Sequence, residues 1–269
     1  MTGDNDRPPV VVGVDGSRAG VRAALWGAEA AQTRDAPLRL VSVIDPADPG
    51  SDEDRLANAR TAVRQARSAV QSRGTLVDIQ TDVVRGAPAA TLRAASRSAA
   101  MICVGPIGLR HFGNGHVGST AAALALDAHC PVAVVPAGDG SRTPGGVGVV
   151  VETVAGTDDV VALGVREALS RHAALRIVLA NPAAGPDDRA RLDRRLAEWQ
   201  HRYPELDIES TVAANAIDHL TQHCGQLGLV VVGARDRTGV GHLLGPTGCT
   251  ALRATNCTVL VTTARHQCG

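Results

Sequence analysis

Short runs of aliphatic residues alternate along the chain with longer stretches in which apolar residues recur every three or four positions. The runs are typical of buried strands, and the longer stretches are typical of amphipathic helices. Val10–Val14 and Leu38–Ile44 are the first two runs, and Asp52–Ser72 has helical spacing. A third strand is predicted at about Val77–Val84, and a third helix near Pro88. Strands that alternate with helices predict a parallel sheet covered on both faces.

The same order of elements occurs twice in the chain. Val147–Val151 and Leu175–Leu179 repeat the first two strands. In each half, 23 positions separate the start of the second strand from the acidic residue that follows the first strand, Asp15 or Glu152. A strand also closes each half, and these strands are Cys130–Val135 and Cys257–Val261.

The repeat predicts an α/β protein with two tandem, doubly wound, parallel five-stranded sheets. The first domain is predicted at residues 1–137 and the second at 147–269. The segment 137–146 is rich in Gly, Pro and Ser and is the predicted linker. A length of 269 residues suits two domains of this kind.

Composition and charge exclude several classes of function. The chain has 44% apolar residues but only two Trp, one Tyr and one Phe, so aliphatic side chains must form the core. The 27 basic residues balance 27 acidic ones, so no overall field attracts nucleic acid or an anionic membrane. All the basic residues are Arg. Without Lys, a Walker-type phosphate loop is excluded.

Cysteines and histidines do not form a metal or disulfide framework in the sequence. None of the six cysteines is spaced C-x-x-C, and most lie in apolar patterns, so buried thiols are expected. His219 and His223 have the spacing of a zinc pair, but no third ligand is evident, so no metal site is predicted. Met1–Pro9 is polar and no run is long enough to span a membrane, so we expect a cytoplasmic protein.

Two strand ends of the first half carry residues that suit a nucleotide. Ligands of parallel sheets bind beyond the carboxyl ends of strands, where the strand order changes direction. The first strand leads into Asp15-Gly16-Ser17, and the fourth leads into Gly105 and a Gly-rich loop that ends at Gly118. A helix N-terminus there would bind phosphate, and a carboxylate would accept hydrogen bonds from ribose. Ser17 lacks an activating His and is predicted to be a helix N-cap, so no catalytic residue is assigned.

Four motifs in this order resemble the universal stress protein family. The resemblance covers residues 8–137 closely and 147–263 more loosely, and it points to a tandem-domain member of the actinobacterial type. Together with the alternating pattern it implies the strand order 3-2-1-4-5. The motifs are Gly13–Ser17, Val84–Ala89, the spacing Gly105-x2-Gly108-x9-Gly118-Ser119, and Cys130–Val135.

The resemblance implies that ATP, with or without Mg²⁺, is the ligand of the first half. It assigns adenosine to the first two strand ends, ribose and phosphate to the turn after the fourth strand, and the phosphates to the following helix. Ala121 departs from the hydroxyl residue that is frequent in the family. The implied binding residues are Val14, Asp15, Val43, Val104, Gly105, Gly108, Gly118, Ser119, Thr120 and Ala121.

The second half departs from this pattern. Glu152 stands in place of Asp15 and is one methylene longer, so it would crowd a sugar. Asp236 puts negative charge where phosphates would lie, and Pro246 removes a hydroxyl and an N–H. We therefore predict one ATP per chain, bound in the first half.

Three classes of function compete at this point. The first is a nucleotide-dependent regulator in stress or dormancy responses, which acts on an unidentified protein partner and hydrolyses ATP slowly at most. The alternative is a scaffold or interaction protein of the same fold that does not use nucleotide. The third, an adenylate-transferring enzyme, needs motifs for pyrophosphate release that this sequence lacks.

Assembly is predicted from the last strand of each half. Both are apolar and lie at sheet edges in this topology, and exposed edges tend to pair. The resemblance implies that Val132–Val135 and Val259–Val261 pair antiparallel as a pseudo-dimer within the chain. Helix faces would then allow a homodimer.

Overall fold

The structure is a computed structural model, and it describes residues 7–106, 118–138, 145–154, 157–222, 226–234, 237–245, 248, 250 and 256–263. The chain forms two compact units, one that ends at Ala137 and one that begins at Gly138. Within the described ranges, no helix combines the length and the apolar character needed to cross a membrane.

The first unit alternates strands and helices, as the sequence predicts. Its strands are all parallel and lie in the order β3-β2-β1-β4-β5. Because β2 and β3 lie on one side of β1 and β4 lies on the other, the strand order changes direction between β1 and β4. The elements are β1 (Val10–Gly13), α1 (Arg18–Thr33), β2 (Leu38–Ile44), α2 (Asp52–Ser72), β3 (Ile79–Arg85), α3 (Pro88–Ala95), β4 (Met101–Val104), α4 (Ser119–Asp127) and β5 (Val132–Val134).

The second unit has the same topology. Its parallel strands lie in the order β8-β7-β6-β9-β10, with β6 in the central place that β1 has in the first unit. The predicted α/β class and the strand order 3-2-1-4-5 are thus confirmed. The elements are β6 (Gly146–Val151), α5 (Asp158–Arg171), β7 (Leu175–Ala180), α6 (Pro186–Arg202), β8 (Ile208–Ala213), α7 (Ala216–Gln222), β9 (Leu227–Gly233), α8 (Arg237–Leu244) and β10 (Thr258–Thr262).

Strand and helix limits follow the apolar pattern closely. Leu38–Ile44 and Asp52–Ser72 form the predicted strand and helix. The third strand begins at Ile79 rather than at the predicted Val77, because its register with β2 starts where Leu38 pairs with Ile79. Central strands are almost fully buried, since helices cover both faces of a parallel sheet. The thiols of Cys103, Cys130 and Cys257 are buried, as expected.

The packing of the first helix on its sheet is repeated in the two units. A Cβ on Gly27 of α1 would lie 2.6 Å from Val12 Cγ2 of β1, so only glycine lets helix and strand approach this closely. Gly164 of α5 is in the same close position against Val149 of β6. Each pair occupies the same place in the sequence repeat. The duplication therefore extends to individual packing contacts.

The C-terminal end of α1 has the same hydrogen bond as the C-terminal end of α5. Arg34 Nη1 donates to Ala30 O at 3.0 Å, and Arg171 Nη1 donates to Glu167 O at 3.1 Å. The residue after each arginine, Asp35 or His172, has a positive φ of 49° or 51°. The two helix ends differ at one residue, because Ala30 of the first unit is replaced by Glu167 in the second. Glu167 is fully buried and pairs with Arg171.

Candidate functional site

Asp15 forms a tight turn between β1 and α1. Its Oδ1 accepts a hydrogen bond from Ser17 N at 2.9 Å, and Ser17 Oγ accepts from Gly20 N at 2.9 Å. Gly16 has a φ of 82°, in the left-handed region that favours glycine. The turn holds an exposed carboxylate at the carboxyl end of β1. It also confirms the prediction that Ser17 is the N-cap of α1.

Gly20 supports this turn, and the sequence reasoning missed it. A Cβ at this position would lie 2.9 Å from Asp15 Oδ1 and 3.4 Å from Ser17 Oγ. Any larger residue must therefore displace the carboxylate. The sequence did contain a sign of this role. Glycine lowers the stability of a helix by about 1 kcal/mol relative to alanine, yet one stands in the first turn of α1. A glycine retained at that cost indicates a close approach.

The end of β4 lies against the start of α1. A Cβ on Gly105 would lie 2.7 Å from Ala19 Cβ and 3.2 Å from the Ala19 carbonyl carbon. At the end of β1, a Cβ on Gly13 would lie 2.8 Å from Leu92 Cδ1 and 3.3 Å from Val104 Cγ1. Both glycines thus permit close packing at the point where the strand order changes direction, Gly105 against the start of α1 and Gly13 against α3 and β4.

The N-terminus of α4 is held beside the end of β4. Gly118 N donates to Pro106 O at 2.6 Å, and Gly118 is the N-cap of the helix. Among the described residues, no side chain caps the N–H groups of this first turn. Such groups carry a partial positive charge and suit an anion.

The side chains at the start of α4 differ in exposure. Ser119 is exposed and Thr120 is half-buried, so both hydroxyls lie near the surface of the helix end. The Ala121 side chain is 2% exposed. A phosphate contact at Ala121 would therefore come from its N–H alone.

The remaining predicted binding residues follow the strand ends. Val14 and Val104 are each 4% exposed, so mainly their backbone is accessible to a ligand. Val14 N is also engaged, since it donates to Val41 O at 2.9 Å. Val43 is half-buried near the end of β2, which lies beside β1. Gly108 lies outside the described residues.

The structure therefore brings most of the predicted binding residues to one edge of the first sheet. Asp15 follows β1, Gly105 follows β4, and Gly118 is tied to the end of β4. In the described part of the chain, no group of three or more His, Cys, Asp or Glu could hold a metal ion. His219 is buried, and His223 lies outside the described residues.

The corresponding turn of the second unit is built differently. Val154 and Thr157 occupy the places of Ser17 and Gly20 in the repeat. Valine cannot cap a helix, and α5 begins only at Asp158, after Thr157 as N-cap. Thr157 Oγ1 donates to Val154 O at 3.1 Å instead of capping the helix.

Glu152 stands in the place of Asp15 after β6. Its carbonyl oxygen accepts from Asn181 Nδ2 at 3.3 Å, at the end of the neighbouring strand β7. The turn that presents Asp15 is thus replaced after β6. Asp236 and Pro246, the other changes seen in the sequence, lie outside the described residues.

Comparison with known proteins agrees with this architecture. The model of the universal stress protein family matches residues 7–136. Universal stress protein Rv2028c of Mycobacterium tuberculosis is 40% identical over 276 aligned positions, which cover 97% of this chain and 98% of that protein.

Solved structures of the family share the fold. A universal stress protein from Archaeoglobus fulgidus aligns over 95% of this chain and 96% of its own, with a TM-score of 0.73 and 14% identity. A second protein from that organism, solved in complex with dAMP, aligns over 47% of this chain and 96% of its own, with a TM-score of 0.39 and 26% identity. The nucleotide is a property of that protein. Given its full-length relatives and the family match in its first half, this chain belongs to the universal stress protein family, as a tandem-domain member.

Proposed function

We propose that this protein binds ATP in its first unit and acts as a nucleotide-dependent regulator in stress or dormancy responses. The observation that carries the proposal is the exposed Asp15 carboxylate, fixed by its turn beside Gly105 at the β1–β4 switch point. A carboxylate in this place suits the hydroxyls of ribose. The α4 N-terminus, tied to the same edge, suits the phosphates.

The chemistry of this edge favours binding over catalysis. Ser17, the nearest candidate nucleophile, is 9% exposed, and its Oγ accepts the capping hydrogen bond from Gly20 N. An activated serine needs a base within hydrogen-bond reach, and no such pair is described there. We therefore propose slow ATP hydrolysis at most. Mg²⁺ would enter with the phosphates of the nucleotide rather than bind a separate protein site.

Only the first unit is proposed to bind ATP. In the second unit, Val154 cannot cap the helix as Ser17 does, and α5 begins only at Asp158. Glu152 is also one methylene longer than Asp15, so its carboxylate would crowd a bound sugar.

Native mass spectrometry tests this function directly on the full chain purified without added ligand. We expect a population whose mass exceeds that of the bare chain by one ATP, with or without Mg²⁺. A bare chain that also shows no heat of ATP binding in calorimetry would favour a scaffold of the same fold. An adenylated product would indicate an adenylate-transferring enzyme.

The variant Gly20→Ala separates nucleotide binding from stability. The added Cβ would press on Asp15 Oδ1, so we expect the Kd for ATP to rise about tenfold, the equivalent of one hydrogen bond. The melting temperature should change little, because the helix preference of alanine, about 1 kcal/mol, offsets the cost of the disturbed turn. Gly185→Ala is the control, since the N-cap of α6 has open space around it. Unchanged ATP affinity in Gly20→Ala would contradict the role of the turn.

Three further expectations stay predictions. They are a cytoplasmic location, a regulatory protein partner, and the pairing of Val132–Val135 with Val259–Val261 followed by homodimer formation.

A further inference from the structure

Arg55 of α2 holds the loop that connects β2 to α2. This loop comprises residues 45–51. Arg55 Nη1 donates to Asp48 O at 2.5 Å and to Gly50 O at 2.8 Å. Its Nη2 donates to a carboxylate oxygen of Asp52, the first residue of α2. The Arg55 side chain is 18% exposed. One largely buried guanidinium therefore fixes two backbone carbonyls of the loop.

The place of Arg55 in the helix does not favour a cation. The N-terminus of a helix carries a partial positive charge, which suits acids. The first three residues of α2 are acidic accordingly, but the fourth is Arg55. Its charge is compensated by Asp52, whose second oxygen accepts from Arg85 Nη1 at 3.0 Å. Hydrogen bonds from Arg85 and then from Arg55 lower the pKa of Asp52, so this carboxylate stays charged. The contacts of Arg55 thus serve the loop rather than the helix.

The loop begins beside the strand end that carries Asp15. In the β1–β2 register, Gly13 pairs with Val41. Two positions further on, Val43 lies at the level of Asp15, and the loop starts two residues after Val43. It therefore borders the strand ends to which the family resemblance assigns adenosine. The phosphates are assigned to α4, which follows β4 on the other side of β1.

The second unit has an arginine at the same helical position, but its contacts differ. Arg189 is the fourth residue of α6, as Arg55 is of α2. The loop before α6, residues 181–185, is two residues shorter than the loop before α2. Arg189 is exposed, and among the described residues no loop carbonyl accepts a hydrogen bond from it. Within the described ranges, only the first unit has an arginine that holds this loop.

We propose, on the basis of the ATP binding proposed above, that Arg55 is a positioning residue that holds loop 45–51 in place against the adenosine part of the nucleotide. Arg55 acts through the loop, because its donors are directed to Asp48, Gly50 and Asp52. A loop that is fixed before binding loses little further conformational freedom when the ligand enters, and this preorganisation raises affinity.

Calorimetry of the full chain with ATP and with AMP tests the role of Arg55. We expect Arg55→Met to raise the Kd for ATP about three- to tenfold, the range expected when a segment must be ordered on binding. The Kd for AMP should rise by the same factor, because both ligands carry adenosine. Arg55→Lys should recover part of the affinity, since an ammonium group can bond to a carbonyl but lacks the fork of a guanidinium.

Arg189→Met is the matched control, because it removes an arginine from the same helical position in the second unit. It should leave both Kd values unchanged. Amide hydrogen exchange separates a loosened loop from a lost fold. In ligand-free Arg55→Met, we expect faster exchange at Ala47 and Asp48, whose N–H groups bond to Asp45, while β1 and β2 keep their protection.

Three results would overturn the role of Arg55 and leave the proposed function intact. The first is wild-type affinity for ATP in Arg55→Met. The second is an equal loss of affinity in Arg189→Met. The third is a loss for ATP that AMP does not share, which would place the effect at the phosphates. A wild type that binds neither nucleotide would instead contradict the proposed function, and the role of Arg55 with it.

Discussion

Asp15→Asn is expected to weaken ATP binding about 10- to 100-fold while the fold stays intact. Asparagine keeps the oxygen that accepts from Ser17 N, so the turn into α1 is retained. It loses the negative charge that would accept the ribose hydroxyls. A hydrogen bond to a charged group contributes about 1.5–3 kcal/mol, and each 1.4 kcal/mol is tenfold in Kd. Isothermal calorimetry of the full chain measures both Kd and stoichiometry, and circular dichroism checks the fold.

The second half of the chain offers the matched control. Glu152 occupies the place of Asp15 in the repeat, in the unit where no ATP is proposed to bind, so Glu152→Gln should leave ATP affinity and stoichiometry unchanged. The wild type should bind one ATP per chain. Two equivalent sites, or full affinity in Asp15→Asn, would reject the asymmetric model.

Arg171→Met is expected to destabilise the second unit by about 3–5 kcal/mol. Arg171 pairs with Glu167, whose side chain is 1% exposed, and removal of the arginine takes this charged partner away from a buried carboxylate. Amide hydrogen exchange of the full chain measures the effect by unit, since β6 and β7 should lose protection while β1 and β2 keep it. Hydrogen exchange suits a chain of two units because it does not require the whole chain to unfold in a single two-state transition.

Arg34→Met controls for the loss of an arginine at the same helix end. Arg34 makes the same bond to a carbonyl oxygen, but Ala30 stands where the second unit has Glu167. We expect Arg34→Met to cost less than Arg171→Met, because alanine at position 30 puts no buried carboxylate beside Arg34. Glu167→Met combined with Arg171→Met should recover most of the stability, because apolar residues of similar volume can replace a buried pair. Equal losses of stability in Arg34→Met and Arg171→Met would show that the buried ion pair adds nothing beyond the bond to the carbonyl oxygen.

Much of the candidate site could be predicted from local sequence, because its main parts are local. The turn from Asp15 to Ser17 is made within three residues, and a serine before a helix is a common N-cap. The contact of Gly105 with Ala19 is different, since it joins elements from distant parts of the chain. No local pattern reports such a contact, so the role of Ala19 could not be predicted.

The sequence by itself determined the α/β class, the repeat and the strand-end location of the candidate site. Apolar periodicity reflects which face of each element is buried, and that signal is strong for helices and parallel strands. Only the tertiary structure decided that Gly20 must stay small beside Asp15, that α5 begins late, and that Arg171 pairs with a buried Glu167. These features depend on distances and charges between side chains on different turns and different helices, which a linear pattern does not contain.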